Sequence, residues 1–168
     1  ALSHPASNTK NYKPDTGRMV YRRSLYVYWK RTSPHPMMTL FDAPNRETSC
    51  VKRSRTNTPL QSLGLFNEKQ RVEIARMFAE RLLKERNSDE QRLDLMFNLL
   101  VCREPNDQER SACNRLLNAM RKRYVNADQD AKDLLNTGEV PRDKSLNPTE
   151  HAAWTQVAAT VLASDLAL

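Results

Sequence analysis

Four times along this chain a polar cap residue precedes apolar positions spaced at three and four. Thr58-Pro59, with Gln61 three residues past the cap, leads into Leu60, Leu63 and Phe66. Ser88-Asp89-Glu90-Gln91 leads into Leu93, Met96, Phe97, Leu100 and Val101. Asn106, with Glu109 in the reciprocal position, leads into Cys113, Leu116, Leu117, Met120 and Tyr124. Asn147-Pro148-Thr149-Glu150 leads into Trp154, Val157, Val161 and Leu162. A side-chain acceptor at the cap satisfies the first free N–H groups of a helix, and Pro at the first position loses no hydrogen bond. The spacing therefore predicts four helices, each burying its apolar stripe.

Between these lie further elements. Glu68 to Arg86 reads as a strongly amphipathic helix with Val72, Ala75, Phe78, Ala79, Leu82 and Leu83 on one face, and Asn67 is expected to separate it from the helix before. Asp128 to Asn136 reads as a short helix that Gly138 stops. Nearer the start, Tyr21, Leu25, Tyr28 and Trp29 predict a helix over Arg18–Arg31, ended by Ser33-Pro34-His35-Pro36. Met37 to Phe41 is a short apolar run, and Thr48 to Arg55 is the least helical stretch, suited to a short extended segment. Ala1 to Gly17 reads as an extended arm or linker. The fold class expected is all-α, an irregular bundle of about five to seven helices with a basic, partly extended N-terminal arm. The expected division is an arm over 1–17 and one helical domain over 18–168, with a basic helix and irregular clasp over 18–57 and the bundle over 58–168.

Composition agrees with this picture. A chain of 168 residues can bury a proper core, its 28% charged residues suit solvated helix faces, and three glycines disfavour a hairpin-rich fold. No signal peptide is visible, no apolar run is long enough to span a bilayer, and a start at Ala1 suggests an excised or processed chain. Cys50, Cys102 and Cys113 make a poor disulfide framework; Cys102 with Cys113 is the one plausible pair, and buried free thiols are the expected state.

Charge divides the chain. Ala1 to Thr58 holds eleven Lys and Arg against three acids, a net +8, and the remainder carries −1. Six of the eleven aromatic residues fall within the same N-terminal third. Such a mixture can stack on bases or sugars, or form a docking face for another domain, with Tyr21, Arg22, Arg23, Tyr28 and Trp29 as candidate anchors. No helix-turn-helix pattern accompanies it, which disfavours nucleic acid.

The chemical motifs are mostly absent. The chain has no Cys-x-x-Cys-His for haem, no His-Glu-x-x-His, no phosphate-binding glycine loop and no Gly-x-Ser-x-Gly, and His4, His35 and His151 stand apart. No metal site and no cofactor are expected in this chain. The one distinctive stretch is Phe41 to Leu63, FDAPNRETSCVKRSRTNTPLQSL, which gathers Asp42, Arg46, Glu47, Arg53, Arg55, Asn57 and Thr58. These residues could hold an anionic or sugar ligand. The reading favoured by their chemistry is an ion-pair clasp that pins an irregular loop, with Asn57 and Thr58 as turn and cap.

Arg22 to Thr32 (RRSLYVYWKRT), Phe41 to Leu63, and Phe66-Asn67 together resemble a C-terminal domain of unknown function from large planctomycete-type multidomain proteins. The Leu-x-x-x-Arg-x-Pro turn at Leu99 to Pro105 and the closing Trp154 helix are similar as well. The chain departs from the pattern in lacking Asp-Pro after Asn67. The resemblance implies export, a preceding companion domain as partner, and often a cytochrome-c-like domain elsewhere in the full protein, where any haem would sit. It carries over no catalytic residue. The leading expectation is thus a non-catalytic structural or interaction module of a larger exported protein. The alternatives are part of an enzyme acting on polysaccharide or another extracytoplasmic substrate, and a polyanion or nucleic-acid binder.

Overall fold

The computed structural model describes residues 15–22, 25, 29, 34–44 and 49–166. Among them there are seven α-helices and no strand. The chain divides into two compact units, Ala1–Gly64 and Leu65–Leu168.

The first unit holds a 3-10 turn, Gly17–Tyr21, and helix α1, Pro36–Leu40; helix α2, Pro59–Asn67, begins in it. Of the helix predicted over Arg18–Arg31, the described residues show a 3-10 turn that ends where Arg22 turns extended (φ −73°, ψ 148°) and a non-helical Trp29; positions 23, 24, 26–28, 30 and 31 lie outside the described residues. The physical reason is local. Thr16 makes no capping bond, the first turn has no acid, and Met19, Tyr21 and Leu25 stay exposed, so no burial compensates a weak nucleus. The anchors Arg23 and Tyr28 lie outside the described residues.

Helix α1 ends in a Schellman motif. The Ala43 amide donates to Met38 O (2.8 Å) and the Asp42 amide to Thr39 O (3.3 Å), with Asp42 left-handed at φ 55°. Helix α2 then reverses the expected orientation of its faces. Gln61 and Leu65 are 5% and 3% exposed, and Gly64 lies so close to the Leu40 side chain that a β-carbon would overlap it. The predicted stripe points outward instead, with Leu60 62%, Leu63 54% and Phe66 37% exposed.

The second unit contains α3 (Lys69–Glu85), α4 (Asp89–Val101), α5 (Asp107–Asn126), α6 (Asp128–Leu135) and α7 (Pro148–Leu162). Helix α7 is its axis: it packs against α3, α5 and α6, while α4 packs on α3. His151 to Thr155, Val157, Ala158 and Val161 are all buried, so α7 is enclosed on nearly every side. Around it lie Ala75, Ala79 and Leu82 of α3, Leu93, Met96 and Phe97 of α4, Leu117 and Tyr124 of α5, and Ala131 and Leu135 of α6. The core residues named on α3, α4 and α5 all fall on the predicted stripes; no stripe is predicted for α6.

The caps match in detail at α5, where Asn106 Oδ1 accepts from Glu109 N (2.9 Å) and Glu109 Oε2 accepts from Asn106 N (2.8 Å). Arg103 adds a bidentate pair to Glu109 (2.6 and 2.7 Å), which with the Asn106 amide holds that carboxyl down at about 2. At α7, Asn147 caps alone, because Glu150 turns to Arg121. Arg121 also grips Asp89 through two bonds (2.7 and 3.0 Å), so one guanidinium joins the first turns of α4 and α7. An acid in the first turn is favoured there in any case.

All three cysteines are free, and Cys50 and Cys102 are exposed, contrary to the buried thiols expected. Cys102 instead closes α4 in a left-handed conformation (φ 58°, ψ 27°), a position that glycine adopts without steric cost. Cys102→Gly is expected to raise stability by about 0.5–1 kcal/mol, read from the urea midpoint at unchanged slope.

Candidate functional site

The distinctive stretch of the sequence forms a clasp inside the first unit. Asp42 Oδ2 accepts from the Thr56 amide (2.8 Å) and the Thr56 hydroxyl (2.7 Å). Arg53 donates through Nη2 to Phe41 O (2.8 Å) and through Nε to Asp42 O (3.1 Å). Arg53 thus satisfies the carbonyls just past the end of α1, where a helix leaves acceptors free, in place of the Asp42 carboxylate. Gln61 completes the clasp. Its Nε2 donates to Leu40 O (2.9 Å) and Thr56 Oγ1 (3.1 Å), and its Oε1 accepts from the Thr58 amide (3.2 Å). The Thr56 bonds, with help from Arg53, hold the Asp42 carboxyl below its ordinary value.

Of the candidate residues, Asp42, Arg53 and Thr58 are therefore brought together around Thr56 and Gln61. Arg55 and Asn57 are exposed beside them, and Arg46 and Glu47 lie outside the described residues. Tyr21 and Arg22 are exposed on the 3-10 turn, and Trp29 is half-buried. Thr56 carried no signal in the sequence. Gln61 did, but only as the second half of a capping box.

A second polar cluster lies within the other unit and was not legible beforehand. Glu73 and Arg76 of α3 are buried, with Oε1 and Nη2 3.9 Å apart. Glu73 Oε1 accepts the Val140 amide (2.7 Å) and Arg76 Nη2 donates to Val140 O, so the two side chains hold both polar atoms of one loop residue. Gly138 sits against Glu73 at φ 108°; a β-carbon there would lie 2.6 Å from the Glu73 carboxyl carbon. Further along α3, Glu80 accepts the Asp143 amide (3.2 Å), and Lys84 bridges Glu80 and Asp143 at 2.7 Å each.

His151 is fully buried above this seam, its Nε2 3.1 Å from Arg76 O. A carbonyl can only accept, so Nε2 carries the proton and Nδ1 is the bare nitrogen. Burial pushes the imidazole below its ordinary value, with the Arg76 and Arg142 cations acting in the same sense; the Arg76 carbonyl and Glu80 oppose them. The Thr155 hydroxyl donates to the His151 carbonyl (2.7 Å) and so is turned to the backbone, not to the ring. No group of three His, Cys, Asp or Glu able to hold a metal occurs among the described residues. A shallow groove on α3, lined by Met77, Glu80, Arg81, Lys84, Glu85, Val140 and Pro141, contains none of the residues singled out from the sequence. No helix among the described residues is long and apolar enough to cross a membrane.

The sign of the His151 shift sets a pH dependence. Below about pH 6.5 the unfolded chain takes up a proton that the folded one resists, so folding stability falls as pH drops from 7 toward 5. His151→Gln, which can keep a donor to Arg76 O, is expected to flatten that dependence in melts taken across this interval. An unchanged slope in the variant would refute the assignment.

No curated protein and no solved structure matches the chain. One family does, over residues 2–117, a span that includes the clasp and ends within α5. By this match the chain belongs to the PSD1 family, proteins of unknown function (DUF1553).

Proposed function

We propose that this chain is a non-catalytic helical module that works by contact with another protein domain, as part of a larger exported protein. The observation that carries the reading is where the clasp's polar groups are directed. Asp42, Arg53 and Gln61 bond to backbone atoms of Phe41, Asp42, Leu40, Thr56 and Thr58, and to the Thr56 hydroxyl. A catalytic carboxylate needs a free lone pair aimed at a substrate proton, with its acidity tuned toward neutral pH. Asp42 has its acidity moved the other way.

The placement within a planctomycete-type exported protein, with a preceding companion domain and a cytochrome-c-like domain elsewhere, is what the resemblance of the signature residues adds to the proposal. Any haem would then reside in that other domain, since this chain has no Cys-x-x-Cys-His.

The test pairs two variants. Arg53→Ala is expected to lower the melting midpoint, because it leaves the Phe41 and Asp42 carbonyls without their donor. Asp42→Asn and the unchanged chain are both expected to show only background turnover on a panel of polysaccharides. Turnover that Asp42→Asn abolishes, with melting and circular dichroism unchanged, would overturn the proposal.

A further inference from the structure

We infer that the outer face of α2 is a docking surface for an acidic, amphipathic helix of a partner protein. The inference rests on the interaction-module reading and gives it a location and a partner chemistry.

The first observation is the reversal of α2. Its inward positions are Gln61, Gly64 and Leu65, and its outward positions are Leu60, Leu63 and Phe66. The reversal is enforced, because Gln61 is held by three partners and Gly64 is the one residue that admits Leu40. The helix cannot rotate its leucines inward without breaking these bonds and driving a side chain into α1. From α3 onward, by contrast, exposed large apolar residues are scattered: Met77, Leu99, Val125, Val140 and Leu166 fall on different elements. Single exposed apolar residues are ordinary, whereas a row at helical spacing marks an interaction site.

The second observation is charge. From Cys50 to Asn67 there is no acid and there are three cations, Lys52, Arg53 and Arg55. All three are exposed, but Arg53 is engaged on the Phe41 and Asp42 carbonyls, which leaves Lys52 and Arg55 for a ligand; Val51 beside them is fully exposed. Helix α2 itself carries no charge. An apolar row introduced by a basic segment is complementary to an acidic ligand with apolar residues of its own.

The third is size. Leu60 to Phe66 spans about 9 Å of helix axis, the footprint of one crossing helix seated by positions i, i+3 and i+6. A membrane-surface helix would carry its cations on its own polar face. Here that face is occupied by Gln61 and Gly64.

The probe is a fluorescein-labelled amphipathic peptide of about 18 residues, with Leu at helical spacing and Glu elsewhere. It is compared with the same peptide bearing Lys for Glu, and binding is read by anisotropy and by amide shifts. The acidic peptide is expected to bind with shifts centred on Leu60, Leu63 and Phe66. Leu60→Ser with Leu63→Ser should weaken it about tenfold or more at unchanged melting midpoint. Lys52→Glu with Arg55→Glu should weaken it as well, and added salt should do the same. Equal binding of the Lys peptide, or no binding of the acidic one to the folded chain, would overturn the inference. So would binding only to anionic phospholipid vesicles or heparin, or a dimer abolished by the Leu60/Leu63 variant, which assigns the face to a second copy. None of these results bears on turnover, so failure here is distinguishable from failure of the interaction-module reading.

Discussion

Both polar backbone atoms of Val140 are held by side chains of α3, and the second unit is organised around that grip. The loop between α6 and α7 must satisfy its backbone before α7 can be buried, because a buried unpaired amide or carbonyl costs about as much as several good contacts return. Glu73 and Arg76 supply the acceptor and the donor at one residue, and Gly138 has no β-carbon to obstruct the carboxylate. With the loop fixed, α7 starts where Asn147 can cap it and runs enclosed by α3, α5 and α6. His151 then closes the seam onto Arg76 O. A buried acid and base kept together in this way are costly to separate, since removing either leaves the other uncompensated.

The first unit solves the same backbone problem with different residues. A five-residue helix, α1, is too short to be stable alone. Its end is satisfied by the left-handed Asp42 turn, by Arg53 on the carbonyls of Phe41 and Asp42, and by Gln61 on Leu40 O. The residues that make the Phe41–Leu63 stretch recognisable are therefore largely those that hold the chain in an irregular path. Their polar groups are spent on that path, and what is left exposed is the apolar row of α2 with Lys52 and Arg55 before it.

How much of this was legible follows from which rule each element obeys. The stripes of α3, α4, α5 and α7 and the caps of α4, α5 and α7 could be read because each helix buries its apolar face and starts where a side chain meets a free N–H; the Glu68 cap of α3 was not legible. The rule misleads at α2, where Gln61 outcompetes Leu60 and Leu63 for the interior through specific partners that no periodicity encodes. It also misleads at Gly17–Arg22, where the period is present but Met19 and Tyr21 stay about half exposed and the turn ends at Arg22. Arg53 could be recognised as a clasp residue, but its choice of carbonyls over the Asp42 carboxylate depends on where α1 ends. Glu73, Arg76 and His151 were invisible because their partners, Val140 and Arg76 O, lie more than sixty residues away.

The reversal of α2 is tested most directly by hydroxyl-radical footprinting of the chain in solution. The side chains of Leu60, Leu63 and Phe66 should oxidise readily while Leu65, one residue away on the opposite face, is protected. Protection of Leu60 and Leu63 together with rapid oxidation of Leu65 would contradict it.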